Sequence, residues 1–153
     1  MKIALLAPSD KTFIKSFLSD VDMETLPTGY TGAPFIGALI KEFLLLGHEV
    51  CAITTTQAIN NDYEVKEYLG DNFKWVVVPF RPNSVRNNGK KLGRIVDGFS
   101  FESKQMVKVL EREKPDFVHA HWSYEFAAAA IKSKFPYLAV SYTHLTLPTI
   151  YSV

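Results

Sequence analysis

Four short apolar runs, separated by stretches with helical spacing, limit this chain more than any other feature of its sequence. The runs are residues 2–7, 49–54, 73–78 and 116–120. Runs of this length without polar alternation are typical of parallel strands that are buried on both faces. The alternation predicts one α/β domain with an open, mostly parallel sheet and helices on both faces. The side chains expected at its centre are Leu5, Ile53, Val77 and Val118.

The intervening stretches predict three helices. Apolar residues recur at helical spacing from Phe35 to Leu44, and Gly47 marks the end of that helix. A second helix is expected around Met106 and Leu110, ahead of Pro115. A third is expected over about residues 123–134, where the alanines at 127–130 allow close packing against a sheet.

Composition excludes several classes of function. The formal net charge is +1, so no overall positive field attracts nucleic acid. The single cysteine, Cys51, cannot form a disulfide within the chain, and its apolar surroundings suit a buried thiol. The first apolar run is too short for a signal peptide or a membrane span. We therefore expect a cytoplasmic protein without a nucleic-acid partner, and a peripheral contact with the inner face of the membrane is compatible with that location.

A loop with two glycines precedes the first helix. It covers residues 28–35 and contains Gly29, Gly32 and Pro34, the last at a position suited to the first helical turn. Free backbone amides at a helix start favour a phosphate group or a sugar hydroxyl. Gly29 and Gly32 are therefore candidate substrate-binding residues, and an ordinary turn of glycine and proline is the alternative.

A glycine-containing turn after the first strand also suggests the cofactor-binding module of a dehydrogenase or regulator. That fingerprint requires G-x-G-x-x-G directly after the strand and an acidic residue at the end of the second strand. Here residues 8–31 intervene, the spacing is G-x-x-G, and the second run ends in Thr54, Thr55 and Thr56. A nucleotide- or dinucleotide-binding module is kept as the alternative function, and a non-catalytic interaction domain as a third.

The segment that joins the fourth strand to the third helix is the second candidate. Ligands of open α/β sheets bind at the carboxyl ends of strands, where His121, Tyr124 and Glu125 are expected. Imidazole and carboxylate groups hydrogen-bond to hydroxyls, and an aromatic ring can cover the face of a sugar. We predict that these three residues bind substrate. His119 and Trp122 are predicted to be buried structural residues, with His119 hydrogen-bonded, and no metal is expected because a third ligand is not found.

Five basic residues follow the third strand: Arg81, Arg86, Lys90, Lys91 and Arg94. Proline, glycine and asparagine residues lie among them, as is typical of a solvated, mobile loop. Contact with a phosphorylated or lipid-linked acceptor is the alternative for this segment.

The last residues have a different origin in our interpretation. Residues 140–149 read VSYTHLTLPT, which resembles the translation of a transposase-type sequencing adaptor, and residues 150–153 fit the index and stop codon that would follow. We divide the chain into residues 1–139, a domain incomplete at its C-terminal end, and residues 140–153, an adaptor-derived tail. His144 then has no functional role. A genuine final strand with a threonine-rich turn is the alternative.

In their order and spacing, segments within residues 1–138 resemble the N-terminal domain of glycosyltransferase family 4. The similar pieces are MKIALLAP at the start, GAPFIG at 32–37, LGHEV at 46–50 and KPDFVHAHW at 114–122. The resemblance implies a Rossmann-like domain that forms the acceptor-side half of a two-domain enzyme of the GT-B type. The family more often has adjacent glycines in its glycine-rich loop, whereas Thr31 precedes Gly32 here.

The resemblance also implies a reaction. A sugar would pass, with retention, from a nucleotide-sugar donor to a glycan or glycolipid acceptor, without a required metal or other cofactor. The acceptor would be held mainly by this domain, and the donor by a C-terminal domain that this sequence does not contain. A histidine expected after the fifth strand would fall in the adaptor-like segment. We expect that the chain as it stands transfers no sugar, although its parent enzyme does.

Overall fold

Strands and helices alternate along the chain in the computed structural model, as the sequence predicts. The structure describes residues 1–56, 64–82, 87–88 and 91–141. The strands are β1 (Lys2–Leu6), β2 (Glu49–Thr56), β3 (Lys66–Gly70), β4 (Phe73–Pro79), β5 (Asn87–Asn88), β6 (Lys91–Leu92), β7 (Phe117–His121) and β8 (Tyr137–Val140). The helices are α1 (Lys11–Ile14), α2 (Phe35–Leu45), α3 (Ser100–Glu113) and α4 (Glu125–Lys132). None of the helices in this described part of the chain has the length and apolar character that crossing a bilayer requires.

Six of the strands form one open sheet, in the order β3-β4-β2-β1-β7-β8. Neighbouring strands are parallel, except that β3 and β4 are antiparallel. β5 and β6 form a separate antiparallel pair. The domain is therefore Rossmann-like, with the mostly parallel sheet that the apolar runs predict.

The sheet separates two hydrophobic cores. Helices α1 and α2 cover one face, where they pack on strand residues such as Leu5 and Val77. Helices α3 and α4 cover the other face and pack on Ile53 and Val118. All four side chains are fully buried, which confirms that they form the centre of the sheet. Cys51 is buried too, and burial raises the pKa of its thiol to about 12, so it serves as an unreactive packing group.

Two edge strands do not follow the pattern of apolar runs. β3 carries Lys66 and Glu67 and is largely exposed. β8 forms the opposite edge, where Tyr137 and Leu138 are about half exposed. An edge strand pairs on one side only, and charged side chains on it discourage pairing with other chains. Its sequence therefore lacks the continuous apolar run of a central strand.

The end of β8 meets the predicted tail. Val140, the first residue of that tail, is the last residue of the strand. Residues 142–153, His144 included, lie outside the described residues. The adaptor origin of the tail therefore stays a prediction.

A buried carboxylate ties the amino ends of the strands together. Glu113, the last residue of α3, accepts hydrogen bonds from Nζ of Lys2 at 3.0 Å and from Nζ of Lys74 at 2.8 Å. Burial would raise the pKa of Glu113, but the two ammonium groups outweigh it and hold the pKa at about 2. The carboxylate thus stays charged and links α3 to β1 and β4.

The segment after β4 begins with a second buried ion pair. Nε and Nη2 of Arg81 donate to the two carboxylate oxygens of Glu102 on α3, at 3.0 and 2.8 Å. The backbone amide of Arg81 donates to the same carboxylate at 2.9 Å, and Nη2 also donates to Asp97 at 2.8 Å. Glu102 is fully buried, and its hydrogen bonds raise the pKa of Arg81 above its ordinary value.

The prediction of a solvated, mobile loop is therefore wrong for Arg81 and Arg94. Both side chains are at least nine-tenths buried, and each pairs with a carboxylate on a later helix. The sequence pattern could not show this, because the partners lie more than twenty residues away along the chain. Arg86 and Lys90 lie outside the described residues.

Candidate functional site

A crevice opens at the carboxyl edge of the sheet between β1 and β7. The chain leaves β1 toward α2 on one face, and it leaves β7 toward α4 on the other. Because neighbouring connections diverge here, this point of an open α/β sheet generally leaves room for a ligand. A cavity of about 460 Å³ lies at this edge, within the size range of small-molecule sites. Residues that line it include Tyr30, Arg94, Phe99, Trp122, Tyr124 and Glu125.

The turn from β7 into α4 holds two aromatic residues in an uncommon backbone conformation. Trp122 has a φ of 74°, and Tyr124 has a φ of 63° with a ψ of −126°. Positive φ values are unfavourable for bulky residues and cost about 1–3 kcal/mol each. The backbone amide of Trp122 donates to the carbonyl of Val140 at 2.9 Å, which fixes the turn against β8. Two strained residues therefore lie in the wall of the cavity, as is common at functional sites.

The turn after β1 fixes the opposite wall of the cavity. The backbone amide of Ser9 donates to Oγ1 of Thr54 at 3.1 Å, and the side-chain Oγ of Ser9 accepts from Nε1 of Trp75 at 2.9 Å. Its carbonyl accepts from the amide of Tyr30, also at 2.9 Å. The ring of Tyr30 meets the ring of Trp122 edge-to-face, with centroids 5.5 Å apart. The aromatic lining is thus built from both sides of the crevice.

Gly29 is required by this turn. Its φ is +77°, and a Cβ there would lie 2.3 Å from the carbonyl oxygen of Ser9. Only glycine lets the chain run this close to Ser9 and so place Tyr30. Gly32 has a φ of +111° and is exposed, and a Cβ there would lie 3.7 Å from the ring of Trp122. Gly32 therefore lies beside the ring of Trp122, whereas Gly29 acts indirectly, through the turn that places Tyr30.

An ion pair provides the charged groups of the cavity. Nη1 of Arg94 lies 3.3 Å from Oε1 of Glu125, the first residue of α4. The guanidinium also stacks on the rings of Phe80, at 4.2 Å, and Phe99, at 5.4 Å. Burial raises the pKa of Glu125, although its own backbone amide and Arg94 act in the opposite direction. The cavity thus combines a strong donor and a strong acceptor with aromatic rings.

His119 and His121 form a close pair under α2. Their ring centroids are 4.4 Å apart, on the same face of β7 as predicted. The ring of His121 lies 5.6 Å from that of Phe35, at the start of α2. Burial, and secondly the neighbouring His119, lowers the pKa of His121 to about 4. His121 is therefore neutral at neutral pH, and it is not among the described residues that line the cavity.

Two predicted structural residues differ from expectation. Nε2 of His119 is buried and has no hydrogen-bond partner among the described residues, so the predicted hydrogen bond is not found at this atom. The reason is that α2 presents the apolar ring of Phe43 to it, at 6.1 Å between centroids. Trp122 is only partly buried, because it packs on the core and also lines the cavity.

Two other features bear on metal and phosphate binding. In the ranges that the structure describes, no three His, Cys, Asp or Glu side chains converge as a metal site would require. Helix α2 begins after Pro34 and lacks a side-chain cap. Its first turn, close to Gly32 in sequence, is where a phosphate group would gain hydrogen bonds from backbone amides.

The structure places the five predicted site residues in three positions. Tyr124 and Glu125 line the cavity, Gly32 and His121 lie near it, and Gly29 supports its wall. The sequence analysis missed Tyr30, Arg94 and Phe99. An aromatic residue between two glycines was an available signal for Tyr30, whereas the pattern after β4 indicated only a loop.

A comparison with protein-family models gives no match, and a comparison with curated proteins gives none either. A proposal of function therefore depends on the fold, the cavity and the motifs of this chain.

Proposed function

We propose that this domain is the acceptor-side half of a retaining glycosyltransferase, which moves a sugar from a nucleotide-sugar donor to a glycan or glycolipid. The observation that carries the proposal is the cavity beside the turn from β7 into α4, where aromatic rings surround a buried ion pair. Aromatic rings cover the apolar faces of sugars, and charged groups hydrogen-bond to their hydroxyls. The ordered motifs similar to glycosyltransferase family 4 support the same function.

The proposal gives each group a task. The acceptor sugar lies against Trp122 and Tyr124, and one of its hydroxyls donates to Glu125. His121 packs against Phe35 and supports the turn that carries these residues. A second domain holds the donor and closes over the crevice, so that water is excluded and the acceptor oxygen meets the anomeric carbon.

The leaving diphosphate needs positive partial charge as the donor bond breaks. Backbone amides near Gly32 and in the first turn of α2 are the groups of this domain best suited to supply it. The dinucleotide alternative has less support, because β2 ends in the buried Thr54, Thr55 and Thr56 where an acidic residue would bind a ribose.

The first test is a pair of transfer assays. The longer chain, recovered by following the parent gene beyond the codon for Leu138, is expected to use at least one donor in a panel of nucleotide sugars. NMR of the product should show retention at the anomeric carbon. The 153-residue chain is expected to transfer none, because it cannot position the donor, and effective molarities of about 10⁵–10⁸ M depend on positioning.

Two results would contradict the proposal. One is transfer by the 153-residue chain at a rate comparable to that of the longer chain, and the other is absence of transfer by the longer chain with every donor. A binding experiment covers the alternative function. If the 153-residue chain binds NADH but no saccharide, the dinucleotide function replaces the one proposed.

A further inference from the structure

We propose that Arg94 and Glu125 make the cavity selective for an uncharged sugar and exclude an acidic one. This inference rests on the proposed function, because it specifies the class of acceptor that the same cavity takes.

The first argument is charge balance. In the described part of the lining, Arg94 and Glu125 are the only charged side chains, and their charges cancel. Each side chain is less than a tenth exposed, so solvent and salt screen their interactions weakly. A ligand carboxylate would place a second negative charge beside Glu125, which is strongly unfavourable in a desolvated interface. An uncharged ligand leaves the balance unchanged.

The second argument is hydrogen-bonding capacity. The link between Arg94 and Glu125 is 3.3 Å long, beyond the usual range for such a bond. Glu125 accepts from Arg94 and from its own backbone amide. A carboxylate has roughly four acceptor positions, so Glu125 retains the capacity to accept from a sugar hydroxyl. A sugar hydroxyl could therefore donate to the carboxylate.

The third argument is that Arg94 is held in place. Its guanidinium stacks on Phe80 and Phe99, and its carbonyl accepts from the amide of Phe99 at 2.8 Å. Its own amide donates to the carbonyl of Pro82 at 3.0 Å. For Arg94 to turn toward a ligand anion, it would have to give up both ring contacts as well as its contact with Glu125.

The experiment compares matched pairs of methyl glycosides on the 153-residue chain. Each pair consists of the methyl α-glycoside of glucose, galactose or mannose and its uronate, which differ only at C6. Binding is followed by the fluorescence of Trp122, with Trp122→Phe used to subtract the signal of the buried Trp75. In at least one pair, the neutral sugar is expected to bind at least tenfold more tightly than the uronate. Equal or tighter binding of the uronate in every pair would overturn the inference.

Substitutions locate the selectivity. Glu125→Gln removes the negative charge and is expected to reduce the preference for the neutral sugar at least tenfold, or to reverse it. Arg94→Lys keeps the charge but loses the planar group, and it should weaken binding of the neutral sugar. The matched controls Glu111→Gln and Arg112→Lys, on the exposed side of α3, should leave both affinities unchanged. A folded Glu125→Gln chain with unaltered preference would refute the role of the pair, and wild-type selectivity decides if that variant fails to fold.

Failure of this inference and failure of the proposed function give different results. If the longer chain transfers a sugar to acidic acceptors only, the inference falls and the proposed function stands. If no methyl glycoside or uronate binds the folded 153-residue chain, the inference also falls, and the transfer assay decides the function separately.

Discussion

Two arginines in the segment after β4 each pair with a carboxylate on a helix, yet the two pairs differ in kind. Arg81 makes three hydrogen bonds of 2.8 to 3.0 Å to Glu102, which has no exposed surface. Arg94 has one contact of 3.3 Å to Glu125, and both of these side chains line a cavity. The carboxylate of the first pair accepts three short bonds from its arginine, whereas that of the second accepts a single longer one.

The comparison teaches how one segment can combine anchoring with recognition. Arg81 fixes the start of the segment to α3, and Asp97, farther along, pairs with the same guanidinium. Arg94 lies between these two anchor points in sequence. Its position beside Glu125 therefore depends on a pair that does not touch the cavity.

The largest expected effect comes from breaking the anchoring pair. Glu102→Gln leaves the guanidinium of Arg81 buried with only Asp97 as a charged partner, and it should lower the free energy of unfolding by about 3 kcal/mol. Urea unfolding measures this. The exposed Glu111→Gln serves as the control, with an expected change within about 0.5 kcal/mol. A loss below about 1 kcal/mol for Glu102→Gln would show that the pair does not anchor the segment.

The second large effect is a loss of stability in acid, caused by the lowered pKa of His121. Its pKa is about 4 in the folded chain against an ordinary value of 6.5, so between these values the unfolded chain binds more protons. Stability should therefore fall as the pH drops from 6.5 to 4, by about 2–3 kcal/mol in total. Unfolding of His121→Leu over the same range should be less sensitive to pH. An unchanged pH dependence in that variant would assign the effect to other groups.

Breaking the pair of Arg94 and Glu125 should lower the free energy of unfolding less than breaking the pair of Arg81 and Glu102. Glu125→Gln removes one long contact and also relieves the burial of a charge, so we expect a loss of about 1 kcal/mol or less in unfolding free energy. Measurement beside Glu102→Gln at pH 7 makes the comparison direct. Equal losses would mean that the two pairs serve the same structural purpose.

The smallest expected effect is that the stability costs of two substitutions, at Asp97 and at Glu125, change in opposite directions as the pH changes. Hydrogen bonds from Arg81 lower the pKa of Asp97. The stabilising contribution of Asp97 is therefore present above pH 3.8 and is lost as the pH falls through the lowered pKa. Burial raises the pKa of Glu125. The stabilising contribution of Glu125 is therefore present below pH 4.5 and is lost as the pH rises through the raised pKa. Asp97→Asn should therefore lower the free energy of unfolding more at pH 7 than near pH 3.5. Glu125→Gln should lower it less at pH 7 than near pH 3.5. Changes of the same sign in both variants would contradict this difference.

The central strands could be predicted from sequence because burial on both faces leaves a continuous apolar run, as in Phe73–Pro79. The edge strand β3 could not, because its exposed side chains include Lys66 and Glu67. Tyr124 and Glu125 could be placed near the crevice because the carboxyl end of a predicted strand fixes their location. Arg94 could not, since its site depends on stacking and pairing between residues far apart in the chain.

Ser9 links three parts of the molecule, and this has a consequence for the thermodynamics of binding. Its contacts to Thr54, Trp75 and Tyr30 order the wall of the cavity when the chain folds. Ordering a side chain at the moment of binding costs about 0.5–1.5 kcal/mol, and a wall that is already ordered avoids much of that entropy loss. The bonds to Thr54 and Tyr30 use the backbone amide and carbonyl of Ser9, so Ser9→Ala should keep the wall in place and should lower stability only because it leaves the indole N–H of Trp75 buried without its acceptor.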